Sequence, residues 1–250
     1  MNRKKFRFTS DKLFDLFNYA FLLILVLIIA YPLYYVLIAS FSDPYEVYAG
    51  KTFLLPSKIT FEGYARVFKE KSIATGYINS IYYTILGTAV SVALIITTGY
   101  CVSKKTLPFR RSIMLFYVFT MYFNGGLIPT YLVVAKMGLL NSVWSLILPG
   151  GVAVFNVIVA RTFFESSIPE ELYEAAAIDG SSNMRTFFKI ALPLSKPILA
   201  VMVIFTMVAY WNDWFTALIY MSEKSKYPLQ LALRQVLIQS QATATMIGNM

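Results

Sequence analysis

The sequence predicts an all-α integral membrane protein. Hydrophobic residues make up 58% of its 250 residues and charged residues only 14%, with a mean hydropathy of +0.61. So little charge cannot cover the surface of a soluble domain of this size. Runs free of Asp, Glu, Lys and Arg cover residues 16–42, 72–103, 112–135 and 137–160, while 197–222 carries Asp213 alone. Each is long enough for a helix across ~30 Å of hydrocarbon, which takes roughly twenty residues. Five spans are expected, over about 15–40, 77–102, 112–134, 142–164 and 198–220, in one domain covering 1–250.

The first run follows Arg3, Lys4, Lys5 and Arg7, as a signal peptide would. It is about twice the length of a usual signal core and leads into Ser42-Asp43-Pro44 instead of a small-residue cleavage site, so a retained span is expected. The net charge of +9 follows the membrane sides and does not imply nucleic-acid binding. Arg3, Lys4, Lys5, Arg7 and Lys12 precede the first span, and Lys104, Lys105, Arg110 and Arg111 follow the second. Together with the 161–197 loop these would face the cytoplasm, which puts the amino terminus inside.

Tyr31-Pro32 in the first span marks a tolerated proline, and Tyr34 and Tyr35 suit an interfacial belt. In the external loop, Phe61 to Lys71 can form a short surface helix. The second span is rich in small residues, among them Ser80, Thr84, Gly87, Thr88, Ser91 and Gly99. Such residues let helices approach closely, and they fit either a packed central helix or a pore-lining face. Asn124-Gly125-Gly126 with Pro129 unsettles the third span, as a structural kink or against a water-filled cavity. Gly138-Leu139-Leu140-Asn141-Ser142 leads into the fourth, which Pro149-Gly150-Gly151 breaks again. There is no histidine and a single cysteine, Cys101, which excludes histidine-ligated metals and intrachain disulfides. Cys101 itself reads as a small buried residue.

The polar interruption at about 167–193 carries the most information. Ser167-Ile168-Pro169-Glu170 is a capping-box pattern, and Glu170-Glu171 suits a helix amino terminus. Leu172, Ala175, Ala176 and Ile178 would follow, with Gly180 as terminator. Ser181 or Ser182 would cap a second helix through Met184, Phe187, Phe188 and Ile190, ended by Pro193. Such a helix–turn–helix on the membrane face can dock into a partner's groove or lie as an amphipathic interfacial element. Only docking explains the glycine break and the second helix.

Glu174-Ala175-Ala176, Gly180 and Ile190-Ala191-Leu192-Pro193, with Asp179 before the glycine, resemble the EAA loop of permease subunits of bacterial ATP-binding-cassette importers. Asp11-Lys12-Leu13-Phe14-Asp15, Ser42-Asp43-Pro44, the 124–131 segment and Tyr210-Trp211-Asn212-Asp213 are similar to carbohydrate importers of the maltose-permease type, most of all the oligosaccharide and polysaccharide-associated branch. The resemblance implies a type I importer transmembrane bundle in the bacterial cell membrane. Glu174, Ala175, Ala176, Asp179, Gly180, Ile190, Leu192 and Pro193 would couple it to a cytoplasmic ATPase. It implies two ATPase subunits that use ATP and Mg, a second permease subunit expected to be a different chain, and an extracellular solute-binding protein. The chain itself would bind no cofactor or nucleic acid and catalyse nothing; it has no phosphate-binding G-x-x-x-x-G-K-[ST] loop. The family has six spans, and nothing after Tyr220 is apolar enough for the sixth. The Phe61–Lys71 and 221–241 segments are candidate contacts for the binding protein.

Asp213 lies about 22 Å along its helix from Ile198, at 1.5 Å per residue, among Trp211, Asn212 and Trp214. A carboxylate in a span is costly and faces a bundle interior or an aqueous cavity. Tyr210, Trp211, Asn212 and Asp213, with Asn124, are therefore candidate substrate-pathway residues, since aromatic faces and Asn/Asp side chains suit sugar. The alternative is an aromatic belt in which Asp213 pairs with a basic residue. Ion-coupled transport needs several intramembrane ionisable groups, and intramembrane proteolysis needs two carboxylates or a serine with a base. Asp213 alone, without histidine, argues against both.

Overall fold

The computed structural model describes residues 4–56 and 58–248, with side chains over 11–56 and 58–239. Arg3, one of the basic residues read as cytoplasmic, lies outside the described residues. The described chain is helical apart from one isolated antiparallel bridge between Ser42 and Ile59. It divides into two compact units, Met1–Glu70 and Lys71–Met250.

The first unit is dominated by α1 (Lys4–Ser40), of which Asp11–Ser40 is long and apolar enough to cross a membrane. Pro32 sits inside it, as expected. After α1 the chain turns at Asp43, whose carboxylate accepts the Tyr45 N–H at 3.0 Å and caps α2 (Pro44–Tyr48). Proline in the first turn forfeits no intrahelical bond there. The predicted surface helix is α3 (Glu62–Lys69). Tyr64 from it stacks on Phe41, with centroids 5.4 Å apart.

The second unit is built on α4 (Lys71–Ser103), again long and apolar enough to span. Its small residues support the packed-helix reading, with Gly76, Ser80, Thr84, Gly87, Thr88, Ser91 and Gly99 all buried. Lipid offers helices no hydrophobic drive to associate, so close backbone approach and dispersion must supply it. Cys101 is exposed, contrary to expectation. Tyr100, Val102 and Ser103 take the inward positions of that turn and leave the cysteine on the outer face.

The third predicted span is not one helix. α5 (Arg110–Tyr122) and α6 (Leu127–Lys136) meet at 113°. Gly126 adopts φ +88°, a conformation that side chains rarely tolerate, and its N–H donates to Asn124 Oδ1 at 2.9 Å. The fourth is interrupted as well, into α7 (Val143–Ile147) and α8 (Val154–Ser166), with Pro149-Gly150-Gly151 in the gap. A Cβ on Gly151 would come within 2.8 Å of the Ile147 carbonyl oxygen, so the turn needs glycine. Next come α9 (Glu170–Ile178), α10 (Asn183–Thr186), a π-turn over Phe187–Ala191 and α11 (Leu192–Leu194). The run 183–194 meets α12 (Lys196–Asn212) at 80°. The fifth predicted span then breaks at Asp213-Trp214 before α13 (Phe215–Tyr220). Among the described residues two continuous helices are long and apolar enough to cross a membrane, or up to four spans if each bent pair counts as one, so the count of five is not confirmed.

A short 3₁₀ turn, Lys224–Lys226, leads to α14 (Leu229–Gly248), which covers the region judged too polar for a sixth span. It is a helix of 20 residues, although it is not among the span candidates. Its first turn is locked to α4, where the Leu229 N–H donates to Ser80 Oγ at 2.8 Å and a Cβ on Gly76 would stand 3.0 Å from the Leu229 Cα. Behind these contacts runs the main core of Ile95, Ile96, Val157, Ala160, Phe164 and Met202, on α4, α8 and α12.

A candidate coupling loop and a polar cavity

The 167–193 segment folds as a helix, a tight turn and a second helix. The predicted capping box does not form. Pro169 occupies the N-cap of α9 without a side-chain bond, while the Ser167 N–H closes α8 by donating to Phe163 at 2.8 Å. With proline at the cap, Ser167 sits two residues too early to reach the first amides. The carboxyl end of α9 does as the sequence predicts. Gly180 has φ +70°, its N–H donates to Ala177 at 3.0 Å, and the Ser181 N–H donates to Ala176 at 2.9 Å. These paired bonds satisfy two carbonyls left open by the helix end. Ser182 Oγ then accepts the Arg185 N–H at 3.3 Å and caps α10.

Pro193 does not end the second helix as expected; the run continues to Leu194 and turns at Ser195. Proline lacks the N–H that Lys189 would receive and crowds that carbonyl. The helix accommodates it by widening just upstream, where the Leu192 N–H donates five residues back to Phe187.

The loop has two faces. The inner one is buried: Ile168 at 4% exposure, Ala176 at 5%, Phe187 at 5% and Ala191 at 0%. Phe187 meets Tyr100 at 4.8 Å between ring centroids, and Phe164 meets the same ring at 5.4 Å, so the loop extends the membrane core. The outer face carries Leu172, Ile178, Met184 and Phe188, all exposed, with Ile178 at 87%. Glu174, Ala175, Asp179, Gly180 and Pro193 are exposed, and Ile190 and Leu192 half-buried.

Charge fixes the base of the loop. Lys105 pairs with Glu170, and Arg110 and Arg161 converge on one oxygen of Glu165. Lys104 Nζ lies 2.7 Å from the ring centroid of Tyr173 and 4.6 Å from that of Tyr100. Burial lowers the Lys104 pKa to about 8, against the opposing pull of Glu170. Burial likewise pushes Tyr173 up to about 12, with Tyr100 adding to it. The hydrogen bond and charge of Glu170 hold Lys105 above the ordinary lysine value.

Further along α4, a cavity of about 530 Å³ opens between α4, the α7–α8 gap, α12 and α13. It gathers Tyr210, Asn212 and Asp213 from the predicted cluster. Trp211 is not among its lining residues and lies 6.5 Å, centroid to centroid, from Tyr77. Asn124 is in the exposed α5–α6 turn and likewise does not line it. Ser91, Asn156 and Thr216 line the cavity and were not singled out for it from the sequence. A lone amide in an otherwise apolar stretch of α8 was the available signal for Asn156. The Tyr210 hydroxyl shares a hydrogen bond with Ser91 Oγ at 2.8 Å. Asp213 Oδ1 accepts the Thr216 N–H at 3.1 Å, a bond into the first turn of α13. Among the described residues no basic group pairs with Asp213, so the paired-belt alternative lacks its partner. The cavity's lining residues include one carboxylate and no lysine or arginine.

Comparison with known proteins agrees over nearly the whole chain. The chain is 42% identical over 231 residues to the polygalacturonan/rhamnogalacturonan transport system permease protein YtcP of Bacillus subtilis (strain 168), covering 92% of this chain and 80% of that one. It is 40% identical over 236 residues to protein LplC of the same strain, covering 94% and 80%. Among solved structures, a bacterial ABC transporter involved in the import of the acidic polysaccharide alginate contains a chain 33% identical with a TM-score of 0.87, over 95% of this chain and 86% of that one. The model of the binding-protein-dependent transport system inner membrane component family matches residues 2–248, and the chain belongs to that family.

Proposed function

We propose that this chain is one permease subunit of an ATP-driven, binding-protein-dependent carbohydrate importer, and that its substrate is an oligosaccharide released from a polysaccharide. The names of the polygalacturonan/rhamnogalacturonan permease and of the alginate importer support the substrate class. The cytoplasmic ATPase seats against the outer face of α9 and α10, through Glu174, Ala175, Asp179 and Gly180 with Ile178 at the tip. Closure of the ATPase then moves α4, α8 and α12 through Ile168, Phe187 and Ala191, which share their core. Ile190, Leu192 and Pro193 shape the arm that carries this motion into α12. ATP and Mg belong to two ATPase subunits. A second permease chain completes the pathway, an extracellular solute-binding protein delivers the sugar, and the amino terminus lies in the cytoplasm.

The observation that carries this reading is the two-faced loop: one face is sealed into the core, while the other presents Ile178 at 87% exposure. Exposed apolar groups clustered on a rigid element mark an interaction site. Tyr210, Asn212 and Asp213 face the sugar from the cavity, with an aromatic ring for C–H surfaces and polar groups for hydroxyls. Co-purification of the ATPase with the assembled complex tests the coupling role. Gly180→Trp and Glu174→Lys are each expected to abolish it, and retention by both overturns the reading. Stimulation of ATPase activity across a panel of oligosaccharides identifies the sugar.

A further inference from the structure

Three arginines meet where α5 begins and α8 passes. Arg110, Arg111 and Arg161 line a cavity of about 360 Å³ together with Met114. Glu165 pairs with two of them, a single one of its oxygens accepting both Arg110 and Arg161. Those four side chains keep a net charge of +2. Arg111 has no ion pair among the described residues. The guanidinium groups of Arg110 and Arg161 are partly buried, at 24% and 26% side-chain exposure, so salt screens them less than fully exposed charges.

The cavity is lined mostly by carbon, from the arginine stems and the methionine. Its apolar character continues along α5, where Leu115, Phe116 and Phe119 are exposed at 70%, 67% and 52%. Of the residues on α5 only Met114 is buried. A net positive cluster of arginines around a carbon-lined hollow, continued by an exposed apolar helix, complements an amphipathic anion. Free phosphate would gain nothing from the carbon lining, and a zwitterionic lipid would gain little from the net charge. Arginine also binds phosphate oxygens through two parallel bonds.

We propose that Arg110, Arg111 and Arg161 bind the phosphate headgroup of an anionic phospholipid of the inner leaflet, with its acyl chains along α5. The site rests on the reading that this end of the bundle faces the cytoplasm. It sits beside the loop's base, because Arg110 and Glu165 also line the hollow that holds Lys104, Glu170 and Tyr173. A lipid bound there would brace the loop from the membrane side.

The test uses the assembled complex in nanodiscs of phosphatidylcholine with trace fluorescent phosphatidylglycerol or, in a second arm, trace fluorescent phosphatidylcholine of the same acyl chains. Energy transfer is read from a donor dye attached to Cys101 at the end of α4. Wild type is expected to concentrate phosphatidylglycerol over phosphatidylcholine. Arg111→Gln is expected to weaken this about fivefold, and Arg111→Gln with Arg161→Gln about twenty-five-fold, at roughly 1 kcal/mol for each arginine near a membrane surface. Arg111→Lys should keep most of the effect, which separates charge from folding. Equal enrichment of both lipids, displacement by millimolar inorganic phosphate, or wild-type enrichment in the double variant overturns the proposal. Loss of ATPase co-purification in the Gly180→Trp variant with lipid enrichment intact separates this site from the coupling role.

Discussion

The phenol end of Tyr210 rests directly on Gly87: a Cβ at that glycine would stand 2.8 Å from the tyrosine Cζ. One turn along the same face of α4, Ser91 Oγ meets the tyrosine hydroxyl at 2.8 Å. The bare backbone at Gly87 thus sets how deeply Tyr210 enters the cavity wall. Ala at this position gains about 1 kcal/mol of helix propensity, and the ring is a side-chain tip that can swing aside. Gly99 differs, because an added Cβ there would lie 2.7 Å from the Ala160 Cβ and 3.1 Å from the Arg161 backbone nitrogen, neither of which can yield without separating α4 from α8. Gly99→Ala is therefore expected to cost about 1–3 kcal/mol, and Gly87→Ala clearly less. Thermal unfolding of both variants in one detergent checks the order, and a larger loss for Gly87→Ala contradicts it.

Lys104 makes stability depend on pH in a definite direction. Its folded pKa of about 8 lies below the ordinary lysine value of 10.5, so between those values the unfolded chain holds more of the proton. Its contribution is fully present above 10.5 and is lost as the pH falls through 8. Tyr173 acts in the next window. Its folded pKa of about 12 lies above the ordinary 10, so its contribution is complete below 10 and is lost as the pH rises towards 12. Unfolding temperature should therefore rise from pH 7 to pH 10. Lys104→Met should flatten that rise, and an equally steep rise in the variant would contradict the assignment.

Helical class and the turn at Gly180 were legible because each rests on local chemistry: runs of apolar residues and a glycine at φ +70°. The breaks within the spans were only partly so, since windows of hydropathy cannot see a bend. Asn124-Gly125-Gly126 and Pro149-Gly150-Gly151 announced irregular backbone, yet a turn of 113° and a gap between α7 and α8 depend on how the freed amides are satisfied. The candidate cavity was half legible. Asp213 drew attention as an intramembrane charge, while Ser91 and Asn156 are defined as cavity residues only by helices distant in sequence. Trp211, adjacent to both Tyr210 and Asn212, goes with Tyr77 instead because consecutive helical residues point about 100° apart.

Asn141 joins two loops that the sequence does not connect. It holds φ +59°, and its Oδ1 accepts the Ser222 N–H at 2.6 Å and the Glu223 N–H at 3.3 Å. Its own N–H donates to the Tyr220 carbonyl at 3.0 Å. Asparagine tolerates the left-handed conformation better than other side chains with a Cβ. Asn141→Gly should relieve the backbone but lose the side-chain bonds, at about 0.5–1.5 kcal/mol for each. Asn141→Ala should lose them and add roughly 1 kcal/mol of strain. Denaturation of the two variants is expected to rank Ala below Gly, and wild-type stability in Asn141→Ala would show the bridge to be idle.

The proposed function gives Asp213 a second role beside its hydrogen bond to α13, and substitution can separate the two. To hold the first turn of α13 it needs only an acceptor for the Thr216 N–H, which it meets at 3.1 Å, and asparagine supplies one equally well. As a cavity group facing sugar hydroxyls it contributes a charge-assisted acceptor, about 1.5–3 kcal/mol where a neutral one gives about 0.5–1.5. Asp213→Ala should therefore lower stability by about 1 kcal/mol and also depress sugar-stimulated ATPase activity. Asp213→Asn should unfold at the wild-type temperature while losing about tenfold in apparent sugar affinity, at 1.4 kcal/mol per decade. The two measurements on one complex, a melting curve and a sugar titration of ATPase activity, decide it. If Asp213→Asn behaves as wild type in both, the side chain serves only the α13 turn and the sugar path runs along another wall.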